Sequence, residues 1–214
     1  MRKAIPKNLK KRAYNAIVNS QFSYGISVWG GLANGDKFKQ LFYLQKRALR
    51  NLFCIHRVSK HIKGHTKRVF HDHNILTVYN IYNYMLILTF AKHIFLKIPN
   101  FLCEILKIDT FNNVNNPDDN LSNRNNRVFV PKLKLNRYQN NFCFQAPKIW
   151  NSLACASVVC GNITTAPTMT ALRKTLKQFL LKMQLHGVNN NDLNWYDFNH
   201  SIVKYIAMRN KSLY

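Results

Sequence analysis

Acidic side chains are scarce in this chain: eight Asp and Glu stand against thirty-two Lys and Arg in 214 residues, for a formal net charge of +24. The only adjacent acidic pair, Asp118 and Asp119, sits in the Pro- and Asn-rich stretch "NNPDDN". That composition reads as a turn, not as a carboxylate cage for metal ions. Cysteine is sparse too. Cys54, Cys103, Cys143, Cys155 and Cys160 are odd in number, widely spread and free of any CxxC pair, which argues against a disulfide framework or a ribbon-type zinc site. A reducing, intracellular compartment, nucleus or cytoplasm, is the expectation. No long apolar run is present: "MLILTFA" at 85–91 falls far short of a membrane span, and "MRKAIPKNLKKR" lacks a signal-peptide core. No membrane partner is therefore expected, since the helix pattern at 73–97 is more readily buried than laid on a lipid surface. Glycines are few, and none forms a phosphate-cradling loop ahead of a helix. There is no Gly-x-Ser-x-Gly elbow and no His-Glu-x-x-His helix. No nucleophile can be paired with a base, and no cofactor is expected.

What is present is enough apolar material, 47% of residues, to bury a core in one large domain or two small ones. The charge makes a polyanionic partner, most commonly nucleic acid, the expectation. A/T-biased coding would also enrich the Asn, Lys, Ile, Phe and Tyr that are plentiful here, and that explanation stays open beside it.

The periodicity predicts a mainly α chain. In "NLKKRAYNAIVN", 8–19, Leu9, Ala13, Ala16 and Ile17 recur at helical spacing. "FSYGISVWGG", 22–31, then crowds three aromatics and three glycines into ten positions. It reads as a packed corner anchored by Phe22, Tyr24 and Trp29, with a stacking platform for a base as the other reading. Asp36 is the expected N-cap of the strongest helix pattern, "KFKQLFYLQKRALRNLF". Its apolar arc holds Phe38, Leu41, Phe42, Gln45, Ala48, Leu49, Leu52 and Phe53. Lys39, Lys46 and Arg50 fall on another arc with Tyr43 beside them and Arg47 further round. Cations without carboxylate partners are costly to bury, so this arc must face water or phosphate. Residues 73–97 predict a third helix, apolar nearly all round. Residues 111–126 are Asn-rich and read as an exposed linker. Beyond it, "RVFVPKLKL" and "NFCFQ" alternate like the strands of a hairpin. "APKIWNSLA" suggests a short helix with Pro147 at its start and Trp150 as anchor. An amphipathic helix should follow through Leu172, Leu176, Phe179, Leu180 and Met183. The tail after residue 186 has no assignable structure.

The cluster "CIHRVSKHIKGHTKRVFHDH" offers Cys54, His56, His61, His65, His71 and His73 as zinc ligands. It also carries Arg57, Lys60, Lys63, Lys67 and Arg68, whose charge opposes a cation, and it lacks spaced cysteine pairs. A basic surface loop is the preferred reading, with no metal expected.

In order, "SYGISVWGG", "LFYLQKRALRNL", "HTKRVF" with "HNILTVYNIYNY", and "RNNRVFVPKLKLNRYQNNFCFQAPKIWNSL" resemble the region after the palm in non-LTR retrotransposon reverse transcriptases of the jockey or LINE type. The likeness covers roughly residues 8–183, and collinear motifs are more specific than any one alone. It implies a thumb-like helical region over 1–110, the linker 111–126, a β-hairpin plus helix region over 127–186 and a tail over 187–214. The implied role is binding RNA, DNA or their hybrid through Lys39, Tyr43, Lys46, Arg47 and Arg50. The Tyr-x-Asp-Asp palm motif is absent, so the chain is not expected to polymerise by itself, and the palm-containing part of a parent polymerase is an implied partner. Two other readings are a relic or protein-interaction module of a decayed mobile element, and a basic organellar or ribosomal RNA-binding protein.

Overall fold

The computed structural model describes residues 5–32, 35–53, 65–96, 130, 141–155 and 167–185. Among them the chain is helical and contains no strand. The chain divides into two compact units, Met1–Tyr82 and Asn83–Tyr214. The expected linker 111–126, the hairpin turn, Asp118, Asp119 and the tail lie outside the described residues.

The first unit begins with α1 (Lys7–Ala13), a π-helical segment (Tyr14–Asn19) and α2 (Ser20–Ser23). The inward residue of this run is not one of the expected stripe Leu9, Ala13, Ala16 and Ile17. Tyr14 is 1% exposed, whereas Leu9 is 50% and Ile17 68% exposed. Tyr14, with Val18 and Phe22 half-buried at spacings of four, marks the inner side, and Leu9 and Ile17 fall away from it.

Gly25 follows at φ 60°, the left-handed conformation that glycine adopts without a Cβ penalty. It starts α3 (Ile26–Trp29), which runs into a 3₁₀ turn (Gly30–Leu32). Trp29 donates its indole N–H to the Tyr24 carbonyl at 2.9 Å, across the Gly25 corner. Gly30 is where another group comes close. A Cβ there would stand 2.5 Å from Cδ2 of Tyr82. The corner is thus packed through Ile26, Trp29 and Gly30. Tyr24 is 84% exposed and does not anchor it.

α4 (Gly35–Leu52) buries Phe38, Phe42, Gln45 and Leu49, one side of the helix at spacings of four, three and four. Phe38 stacks on Tyr79 at 5.6 Å and meets Tyr82 edge-on at 5.7 Å; Phe42 meets Tyr79 and Phe70 at 5.6 and 6.0 Å. Asp36 lies inside the first turn of α4, not at its N-cap as expected, because the helix already begins at Gly35.

α5 (His65–Asp72) ends in a Schellman turn. Asn74 takes φ 50°, its N–H bonds the His71 carbonyl at 2.9 Å, and the Ile75 N–H bonds the Phe70 carbonyl at 2.8 Å. Asparagine tolerates that left-handed conformation better than most residues. The chain then enters α6 (Val78–Leu96), capped by Thr77, whose hydroxyl accepts from the Asn80 N–H at 3.4 Å.

Gln45 ties these pieces together. Fully buried, its amide nitrogen donates to the Tyr14 hydroxyl at 2.8 Å and to the Leu76 carbonyl at 2.9 Å, while its oxygen accepts from the Val78 N–H at 2.9 Å. The Val78 amide is one of the donors that a helix N-terminus leaves without an intrahelical partner.

The second unit contains the remainder of α6, α7 (Phe142–Cys155) and α8 (Met169–Leu185). Phe142–Gln145, expected as a strand, form the first turn of α7 instead. Alternation over five residues is too short to separate the two periods. Over a longer window Phe142, Ala146, Ile149, Trp150 and Leu153 recur at helical spacing, and the last four are buried. Pro147, expected at a helix start, sits inside α7 and offers no N–H to the Cys143 carbonyl. Trp150 is buried and meets Phe90 of α6 at 5.7 Å. In α8 the expected apolar stripe Leu172, Leu176, Phe179, Leu180 and Met183 is buried, and the Thr168 hydroxyl caps the Ala171 N–H at 3.2 Å.

Gln45→Leu strands the Leu76 carbonyl and the Val78 N–H, and should cost about 2–4 kcal/mol in urea denaturation, whereas Tyr14→Phe should cost about 0.5–1.5 kcal/mol. Equal losses from the two variants would contradict the bridging role. Burial raises the phenols of Tyr14 and Tyr82 to about 12, with the Gln45 hydrogen bond opposing it slightly at Tyr14. The unfolded chain releases these protons near pH 10 and the folded chain holds them longer. Their contribution is therefore full below pH 10 and is lost as pH rises towards 12, at up to about 1.4 kcal/mol per pH unit per phenol. Tyr14→Phe should remove about half of that alkaline slope.

Candidate nucleic-acid interface

At about 100° per residue, Lys39, Tyr43, Lys46, Arg47 and Arg50 fall within about a quarter to a third of the circumference of α4. The structure brings these five residues onto one stripe, beside the buried row of Phe38, Phe42, Gln45 and Leu49. Tyr43 is 64% exposed and Arg47 is exposed; Lys39, Lys46 and Arg50 are half-buried.

Each half-buried cation is held by a different device. Lys39 makes a 3.0 Å ion pair with Asp36 one turn earlier, the carboxylate that the sequence reading gave a capping role and left out of the stripe. The spacing of three was the available signal. Lys46 folds back so that its ammonium lies 4.0 Å from the centre of the Phe42 ring and 5.9 Å from that of Tyr43. Burial, and to a lesser degree the charge of Arg50, lower its pKa from the ordinary lysine value. A cation over an aromatic face regains part of what it loses in hydration. Arg50 donates its Nε–H to the Lys46 carbonyl at 3.2 Å, which fixes the direction of the guanidinium. That bond uses one of five donors.

The stripe can therefore present positive charge on a helix whose neighbouring side is locked. It offers the backbone-positioning contacts by which proteins hold phosphates, with Tyr43 as a flat, exposed ring beside them. Burial and, secondarily, Tyr43 raise the pKa of Tyr79 beneath it. Tyr24, the other exposed aromatic of the sequence reading, lies on the corner before α3, and Trp29 turns instead towards Phe38 at 6.2 Å.

Of the Cys and His cluster, Cys54, His56 and His61 lie outside the described residues. Among the described residues no group of three His, Cys, Asp or Glu is placed to hold a metal ion, and no helix is long and apolar enough to cross a membrane. Compared with protein-family models, curated proteins and solved structures, the chain matches none.

In the Asp36–Lys39 pair the carboxylate is exposed and the lysine half-buried, with side chains 84% and 42% accessible. Solvent screening should hold its coupling in a double-mutant cycle to about 0.5 kcal/mol or less, leaving Lys39 free to exchange Asp36 for another anion. A coupling above about 1.5 kcal/mol would mean that Lys39 is committed to the fold.

Proposed function

We propose that this chain is the thumb and post-thumb region of a non-LTR retrotransposon reverse transcriptase, and that it grips RNA, DNA or their hybrid through backbone phosphates. The observation that carries the reading is the stripe of Lys39, Tyr43, Lys46, Arg47 and Arg50, set on a helix whose other side is clamped by Phe38, Phe42, Gln45 and Leu49. The collinear motifs described above and the net charge of +24 support it. Polymerisation would need metal-binding carboxylates supplied by a palm that this sequence does not contain. The chain's own part is to hold the duplex without reading its sequence, because phosphate contacts position a protein without specifying bases.

Salt dependence gives the test. Each phosphate contact removed should flatten the slope of log K against log salt by about 0.9 on duplex DNA, so Lys39→Ala/Lys46→Ala/Arg50→Ala should lose up to about 2.7. The buried residues of α4 are untouched, and circular dichroism should report an unchanged helix content. A helical triple variant that binds hybrid duplex with the parent's affinity and salt slope would reduce the stripe to a solvated surface.

A further inference from the structure

The second unit carries a basic face of its own. In α8 the side chains of Leu172, Leu176, Phe179, Leu180 and Met183 are buried, so the packing of this stripe fixes which side of the helix meets solvent. That outer side holds Arg173, Lys174 and Lys177, all three exposed. At about 100° per residue they fall within about 100° of one another, and from Arg173 to Lys177 the helix rises about 6 Å.

No side chain of the helix balances this charge. α8 contains no Asp or Glu, so no i, i+3 or i, i+4 ion pair of the kind that joins Lys39 to Asp36 can form along it. The want of acid extends beyond α8, for α6 and α7 contain none, and no other described residue of the second unit is acidic. The exposed side chains among those residues are cations, threonines, a glutamine and a proline. The large apolar side chains that the described residues expose, Ile17, Tyr24 and Leu44 among them, all belong to the first unit. This contrast selects the class of partner. A protein would be anchored by apolar or aromatic side chains at the centre of the contact, and the outer side of α8 exposes none. Phosphates need no such anchor. They are held by Lys and Arg and by hydroxyl and amide groups, which Thr170 and Gln178 supply on the same side.

We infer that Arg173, Lys174 and Lys177 form a second phosphate-binding patch, so that the chain holds nucleic acid with α8 of the second unit as well as with α4 of the first. This rests on the proposed nucleic-acid function and adds a site to it. Phosphates of one strand follow each other at about 3.4 Å along a duplex axis. Three cations spread over about 6 Å of helix therefore match two or three neighbouring phosphates. The Arg173 guanidinium can take a phosphate through two parallel N–H bonds, and the two lysines act as point charges beside it. Because both patches belong to one chain, a contact made by either unit raises the effective concentration of nucleic acid at the other.

The experiment measures binding of the full chain to an RNA–DNA hybrid duplex across a salt series. Arg173→Ala/Lys174→Ala/Lys177→Ala should flatten the slope of log K against log salt by up to about 2.7, at about 0.9 per contact, and by up to about 5.4 when combined with the α4 triple variant. No buried residue of α8 is changed, so circular dichroism should report the parent's helix content. Arg173→Gln/Lys174→Gln/Lys177→Gln, which removes the charge and keeps long polar side chains, should flatten the slope equally. Lys182 is also exposed but stands about 140° round the helix from Lys177, so Lys182→Ala should move the slope by less than about half of one contact. If the α8 variants keep the parent slope while the α4 variant loses its share, the patch is a solvated surface and the α4 stripe stands alone. If Lys182→Ala flattens the slope as much as each residue of the triple variant does, net charge governs binding and α8 holds no site. If the parent binds no hybrid even at low salt, the nucleic-acid reading fails and this inference with it.

Discussion

The first unit depends on a polar side chain where its helix pattern calls for an apolar one. Gln45 occupies the centre of the buried row of α4 and satisfies three groups that have no other common partner: the Tyr14 hydroxyl, the Leu76 carbonyl and the Val78 N–H. A leucine there would supply similar bulk and leave a helix N-terminus and a carbonyl buried without bonds. Apolar contacts between Phe38, Phe42, Phe70 and Tyr79 are tolerant of small rotations. Three hydrogen bonds of 2.8 to 2.9 Å are not, and they set how α4 is rotated against the π-helical segment and the start of α6.

That rotation decides where the charges go. With Gln45 fixed inward, Lys39, Tyr43, Lys46, Arg47 and Arg50 are carried together onto the neighbouring side of α4. Binding of a polyanion by such a surface gains from rigidity, because charges already held in place lose less freedom when phosphate arrives. Lys46 over Phe42 and Arg50 on the Lys46 carbonyl are local versions of the same restraint.

Long, regular patterns were legible from the residues alone. The inner face of α4, the all-round apolar character of α6 and the stripe of α8 each span three or more turns, enough for the 3.6-residue period to stand out. Short or mixed signals were not. Five residues of alternating Phe142 and Phe144 match a strand as well as a helix, and only the longer run to Leu153 separates them. Leu9, Ala13, Ala16 and Ile17 form a plausible inner face, yet Tyr14 is the residue drawn inward, with its hydroxyl on Gln45, and Leu9 and Ile17 face out. Asp36 was legible as a helix-start residue, but not as the partner of Lys39.

The sequence by itself determined that the chain is mainly helical, strongly cationic, and amphipathic along α4 and α8, because composition and helical period are properties of residues a few positions apart. It also determined that the basic arc of α4 is separate from its apolar one and lies beside it. Only the tertiary structure decided what depends on partners far along the chain. Gln45 belongs inside because Tyr14, Leu76 and Val78 meet it there, and Gly30 is small because Tyr82 lies against it. A local pattern can show which face is apolar, but the satisfaction of a buried amide is fixed only when distant segments pack.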